Sequence, residues 1–327
     1  MSDVTVIVVP RERFSLAERS LRSIYDATRR PFRLVYVDGA SPRHVRRRIE
    51  AASREHGFTL LRTEYPLSPN EARNLGVRAA SATQHIVFVD NDVLVSPGWL
   101  ESLVRCADET GAWIVGPLYL IGSPGKSRVH MAGGEARIVE RDGRRVFHER
   151  HLFANRPLAD VRPQLERGPC ELVEFHALLI RHEVLDRIGP LDEKLLSLNE
   201  HVDVCMRVRE AGGEVYFEPE SVVTYVPPPP WGRGDRSYYL LRWSDAWARA
   251  TQRRFAEQWD LPADDRMLRA QMHWTKEHRW LLLRTLLNVC GREFGRFLRR
   301  RLGDRLDGML ERRIVSRELE RRASAGV

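Results

Sequence analysis

The stretch 83-TQHIVFVDNDVLVSPGWL-100 decides how the rest of the chain is read. The apolar run Ile86 to Val89 is short enough for a buried strand, and it stops at Asp90-Asn91-Asp92 before a second apolar run begins. Carboxylates are costly to desolvate, so two of them at the tip of a buried strand need a reason. A bare Asp-x-Asp is often a solvated turn. The apolar strand before it and the helix signalled at Pro97 favour a second reading, in which the two acids offer hard oxygen ligands to Mg²⁺ or Mn²⁺.

Toward the N-terminus the same alternation repeats. Val4 to Val9 reads as a strand, and Leu16, Arg19, Ser20, Ser23 and Ile24 fall on a helical period with Ser15 as cap. A strand at Leu34 to Val37, a helix from Pro42 to His56, a strand at Phe58 to Leu61 and a helix from Pro69 to Ala80 complete a β-α-β-α-β-α-β series. Continuous apolar strands of this kind belong to a parallel sheet covered on both faces, whose ligands bind at the carboxyl ends of the strands. Asp38 would then share one edge with Asp90 and Asp92. Asp38 is equally suited to cap the next helix or to hydrogen-bond a ribose or base edge, and Arg73-Asn74 is either an exposed pair or aimed at phosphate.

Past Gly116 the pattern loosens. Residues 117 to 170 hold a hairpin signal at Asp142-Gly143, and order returns with a strand from Phe175 to Ile180, a helix from His182, and a helix that ends at Gly212-Gly213 before a strand at Val215 to Phe217. Glu200, His201 and Asp203 crowd the start of that helix. Acids are favoured there by the helix dipole, and the same groups suit a general base near an acceptor hydroxyl. Glu174, His176 and His130 are secondary candidates, each a histidine or acid that also fits a satisfied core position.

The 327 residues are 43% hydrophobic and carry a formal charge of +8, almost all of it arginine. No apolar run suits a membrane span, the N-terminus lacks signal-peptide features, and the four cysteines are too far apart for a zinc cluster or disulfide framework. The reading is a cytoplasmic protein with no nucleic-acid partner, since no basic and aromatic module is recognisable. The segment 280–315 puts Leu and Phe at helical spacing among many arginines, which fits a helix packed on the domain, a homodimer contact, or a peripheral contact with the inner face of the membrane.

In order, VTVIVVP, VYVDGAS, NEARNLGVRAA, VDNDV, RIGPLDE and EHVDVCMRVREAGGEVYFEPESVV resemble family 2 glycosyltransferases of the GT-A fold, over about residues 3 to 226 and more weakly over 235–259. The resemblance implies an α/β, Rossmann-like and mostly parallel sheet with flanking helices, with a nucleotide-binding half at 1–116 and an acceptor half at 117–226. A Pro/Gly-rich mobile loop at 227–236 and a helical C-terminal region at 237–327 would follow. It further implies inverting, metal-dependent transfer from a nucleoside-diphosphate sugar to a hydroxyl of a glycan or lipid-linked acceptor. Asp90 and Asp92 would hold Mn²⁺ or Mg²⁺, Asp38 would contact the nucleotide, and Pro10, Arg73, Asn74 and Asn91 would complete the donor side. Glu200, His201 or Asp203 would supply the base.

Two positions depart from the family pattern. Glu200-His201 stands where Glu-Asp is common, and Tyr225 stands where many members place a third metal ligand, a histidine. A nucleotidyltransferase, or a degenerate member that binds without turnover, are the rival readings.

Overall fold

The computed structural model describes residues 3–80, 83–122, 128–228, 230–232, 234–288 and 292–325, the side chains of 283–304 and 306 excepted. The N-terminal half is a run of β1 (Val4–Val9), α1 (Ala17–Ala27), β2 (Arg33–Gly39), α2 (Arg43–His56), β3 (Thr59–Thr63), α3 (Pro69–Ala79) and β4 (His85–Asp90). Every residue of β1 and β4 is buried, as strands covered on both faces must be. Helix α1 buries Ala17, Ser20, Leu21, Ile24 and Ala27, the three- and four-residue spacing of one helical face. Where α3 crosses β1 the backbones come close: a Cβ on Gly76 would lie 2.3 Å from Ile7 Cγ2.

The second half adds β5 (Val93–Val95), α4 (Trp99–Thr110), β6 (Ile114–Ile121), β7 (Arg128–Met131), β8 (Gly134–Arg141), β9 (Arg144–His151), α5 (Leu158–Val161), β10 (Gly168–Cys170), β11 (Ala177–Arg181), α6 (His182–Ile188), α7 (Glu200–Glu210) and β12 (Val215–Tyr225). Strands join in the order β10-β12-β6-β11-β4-β1-β2-β3. β3, β2, β1 and β4 run parallel, whereas β11 is antiparallel to both β4 and β6. β8 and β9 form a separate hairpin closed by Asp142 and Gly143, both in the left-handed region that a tight hairpin turn requires.

Three boundaries differ from the sequence reading for local reasons. β11 starts at Ala177, not Phe175: the Tyr119 hydroxyl takes the Glu174 N–H and lies 2.8–2.9 Å from the carbonyls of Glu174 and Ala177, while the His176 carbonyl still accepts the Asp90 N–H at 3.2 Å. β12 continues to Tyr225 through an irregularity between Glu218 and Val222. Helix α8 (Asp235–Arg242) begins inside the segment read as a loop, and Asp235 accepts from the backbone N–H groups of Phe14, Ser15 and Gly232.

Helices α9 (Asp245–Gln258), α10 (Arg266–Asn288) and α11 (Arg292–Ser324) follow. Arg279 of α10 meets Asp307 of α11 through two guanidinium nitrogens at 2.9–3.1 Å, and Arg322 reaches Glu71 of α3 at 2.9 Å. The C-terminal helix is therefore fastened to the sheet domain. Much of the basic stretch 283–304 lies outside the described side chains. Among the described residues no helix is long and apolar enough to cross a membrane.

Candidate active site

β1 and β4 lie side by side with Val9 opposite Asp90, so the residues just past each strand meet at one edge of the sheet. Asp90 is fully buried and its carboxylate is saturated. Oδ1 takes Arg73 at 3.1 Å, Oδ2 takes Arg11 at 3.1 Å, and His176 Nδ1 stands 3.4 Å from Oδ2. Burial alone would raise this acid, but the His176 hydrogen bond and the two guanidinium charges outweigh it and hold Asp90 at about 2. Burial, reinforced by Arg11, lowers His176 to about 4, so it is neutral at pH 7.

Asp92 is the opposite case. It is wholly buried, and neither carboxylate oxygen has a hydrogen-bond partner. Burial, then the charges of Glu12 and Asp90, push it well above the ordinary carboxylate range. An acid in that setting either takes a proton or meets a cation. The donor set of buried oxygens around Asp92 fits a hard divalent ion, and Asp90 would join it once Arg11 moved aside.

Glu12 is held by the Tyr225 hydroxyl and by Trp243 Nε1 at 3.0 Å. Tyr225 stacks on His176 with ring centroids 4.5 Å apart, filling the place where the family pattern puts a histidine. Arg11, Glu12 and Arg13 were not singled out from sequence. Their signal was position alone, immediately past a buried strand at the ligand-binding edge.

The other expected donor-side residues separate into two groups. Asp38 accepts from the Ser41 N–H at 2.9 Å and the Ser41 hydroxyl at 2.8 Å and pairs with Arg62, so it does cap its turn. Asn91 Oδ1 takes the Arg11 N–H at 3.3 Å, and the Pro10 carbonyl takes the Tyr238 hydroxyl at 3.3 Å. Arg73 stacks on Phe175, 3.7 Å from the ring centroid, and lines the cleft as well as holding Asp90. Asn74 is turned elsewhere: it brackets Leu191 through both backbone groups and reaches Glu193.

Beside this edge lies a cleft of about 550 Å³ whose walls include Arg11, Glu174, His176, Glu200, His201 and Arg242. Glu200 opens α7 and pairs with Arg242 of α8 at 3.0 Å, both nearly inaccessible. His201 projects to the other side, toward Glu149 and Glu174. Asp203 does not join them. Its Oδ1 takes Trp259 Nε1 at 3.1 Å and the Gln258 amide, beneath α7, and burial pushes it up to about 6. The arrangement combines buried acids suited to a cation, arginines suited to phosphate and an arginine-paired carboxylate in the wall of the cleft.

Comparison with known proteins gives the family and the fold. The profile described as "Glycosyl transferase family 2" matches residues 5–189. Two pre-mycofactocin glycosyltransferases of Mycobacterium tuberculosis, from strains CDC 1551 / Oshkosh and ATCC 25618 / H37Rv, are each 27% identical over 223 residues, 68% of this chain and 42% of theirs. The chain thus spans under half the length of these curated relatives. Among solved structures, GalNAc-T7 crystallised with UDP, GalNAc and Mn²⁺ superposes with a TM-score of 0.55 at 19% identity, over 85% of this chain and 54% of that one. That likeness is one of fold, and it identifies the α/β core as GT-A-like. Because the family match runs from β1 through α6, more than half of its length, this chain belongs to glycosyl transferase family 2.

Proposed function

We propose that the chain is an inverting glycosyltransferase that moves a sugar from a nucleoside-diphosphate donor to a hydroxyl of a glycan or lipid-linked acceptor. The observation that carries the reading is Asp92: a wholly buried carboxylate with both oxygens unpartnered, just past the carboxyl end of β4 and two residues from Asp90, which two arginines hold. Asp92 and Asp90 would hold Mn²⁺ or Mg²⁺. When bound, such an ion neutralises charge that develops on the departing diphosphate.

The chain's own groups do the rest. Arg11 and Arg73 offer guanidinium donors toward phosphate oxygens, Asp38 and Asn91 flank the nucleotide, and the cleft holds the acceptor away from bulk water. Glu200, at the cleft wall, accepts the proton of the attacking hydroxyl. Support comes from the family membership, from the names of the M. tuberculosis relatives, and from the UDP and Mn²⁺ bound to the GalNAc-T7 neighbour.

The test is a thermal-shift panel of nucleoside diphosphates and their sugars, with and without Mn²⁺, followed by donor hydrolysis on the best hit. Mn²⁺-dependent stabilisation by one nucleotide class is the expected result. No shift with any nucleotide would remove the proposal.

A further inference from the structure

On the acceptor side of the cleft, separated from Asp90 by the His176 imidazole, four side chains from three separate segments approach one another. Glu149 and His151 alternate on β9 and so share a face, Glu174 precedes β11, and His201 lies in the first turn of α7. His151 Nε2 is 3.3 Å from Glu149 Oε1 and 3.7 Å from Glu174 Oε1. His201 Nε2 is 3.8 Å and 4.0 Å from the same two oxygens, and it has no hydrogen-bond partner.

These separations are mostly long for hydrogen bonds. They suit a shared ligand better: atoms about 2.0–2.1 Å from one tetrahedral ion lie about 3.3 Å apart, and modest closure would bring all four into reach. The outer oxygens are already occupied. Gln271 donates to Glu149 Oε2 at 3.0 Å, and His130 Nε2 stands 3.0 Å and His176 Nε2 3.2 Å from Glu174 Oε2. Each carboxylate is thereby oriented with Oε1 facing the imidazoles, the outer support that metal-binding carboxylates need. Charge is balanced as well, since two carboxylates and two neutral imidazoles neutralise one divalent cation.

We propose that Glu149, His151, Glu174 and His201 form a second divalent-metal site, distinct from the Asp90/Asp92 site and built for a borderline ion such as Zn²⁺. Two imidazole nitrogens with two carboxylates favour Zn²⁺ over Mg²⁺, which takes oxygen ligands and keeps its waters. The site lines the cleft, so an acceptor oxygen entering there would meet the ion.

The experiment uses the full chain, stripped with a chelator and titrated calorimetrically with Zn²⁺ in the absence of nucleotide. Wild type is expected to bind one Zn²⁺ that Asp92→Asn leaves intact, with a rise in melting temperature. His151→Gln and His201→Gln are each expected to weaken that binding at least about 100-fold, the upper end of the loss when even an outer partner is removed. Melting of both metal-free variants by circular dichroism shows whether they are folded, and Gln271→Ala, a milder change in the support, should weaken Zn²⁺ about 10-fold or more. The proposal is overturned if wild type takes up no Zn²⁺, if the folded histidine variants bind it as wild type does, or if Asp92→Asn alone abolishes it. In those cases the four groups are a cluster of polar contacts among themselves and bind no metal.

Discussion

Arg11 Nη1 lies 3.1 Å from Asp90 Oδ2, so a guanidinium covers one of the two acids proposed to hold the donor's cation. A cation and this arginine compete for the same oxygen, and the attraction between unit charges about 4 Å apart near a protein surface is several kcal/mol. Arg11→Met is expected to raise Mg²⁺ affinity at least about 10-fold without nucleotide, and to lower nucleoside-diphosphate affinity about 10-fold by removing a charged donor to phosphate. Calorimetry on both ligands checks it. Weaker Mg²⁺ binding in the variant would show that Arg11 organises the site instead of guarding it.

Asp92→Asn separates binding from stability. The carboxylate is buried without partners, and its proton affinity is raised well above that of an unfolded chain. A raised acid leaves stability untouched at low pH, where both states are protonated, and diminishes it as pH climbs past the unfolded value near 4 toward the folded one. Without metal at pH 7 the amide should therefore melt higher than wild type, with the gap closing in acid, while Mn²⁺-dependent nucleotide binding is lost. A variant that melts lower at pH 7 and still binds donor with Mn²⁺ would refute both halves.

The two variants probe residues that were unequally legible. Asp92 could be picked out because a buried strand, read from Ile86 to Val89, ends abruptly in acid, and β1 and β2 follow from short apolar runs of the same kind. Arg11 could not, because its partner Asp90 lies 79 residues away and only the pairing of β1 with β4 joins them. Glu149 and His151 were hidden for a related reason. Their two-residue alternation on β9 is a strand face, but what the face meets depends on how the antiparallel insertion folds back on α7 and α10. Asp203 parts from Glu200 although both sit in the first turn of α7: Glu200 opens the helix toward Arg242 while Asp203 reaches Trp259, a contact with a residue 56 positions away that no local pattern shows.

Asp203 gives a pure stability prediction. Burial pushes it up to about 6 against the opposing charge of Arg207, 3.5 Å away. Between pH 4 and 6 the native state keeps a proton that the unfolded chain releases, so wild-type stability falls as pH rises through that window. The displacement from about 4 to about 6 corresponds to about 3 kcal/mol, less whatever Asp203→Asn loses with Arg207. The melting temperature of Asp203→Asn relative to wild type should therefore rise from pH 4 to pH 7, and parallel pH profiles would mean that the acid is not strained by burial.

Asp38 tests whether a cap also serves a ligand. Its contacts to Ser41 and Arg62 explain its burial without any nucleotide. If it contacts the nucleoside as well, Asp38→Ala should weaken the free nucleoside diphosphate and the nucleotide sugar by the same factor, about 10-fold, since the sugar takes no part in the contact. Equal and unchanged affinities for both ligands would confine Asp38 to the turn.

The base is decided between neighbours that face apart. Residues 200 and 201 are successive in α7 and about 100° apart around its axis, and the structure sends Glu200 to Arg242 and His201 toward Glu149 and Glu174. Among the described residues lining the cleft, Glu200 alone has a carboxylate free of the histidine cluster, so Glu200→Gln is expected to cut transfer about 100-fold or more while donor affinity stays within about 2-fold. Binding survives because Arg242 holds a glutamine oxygen as it holds the carboxylate, and no donor contact is removed. His201→Gln is expected to affect Zn²⁺ uptake first and transfer second. Full transfer by Glu200→Gln, together with transfer lost in His201→Gln even when Zn²⁺ is resupplied, would hand the proton to the imidazole. Full transfer by both would leave the acceptor hydroxyl to be deprotonated by another group.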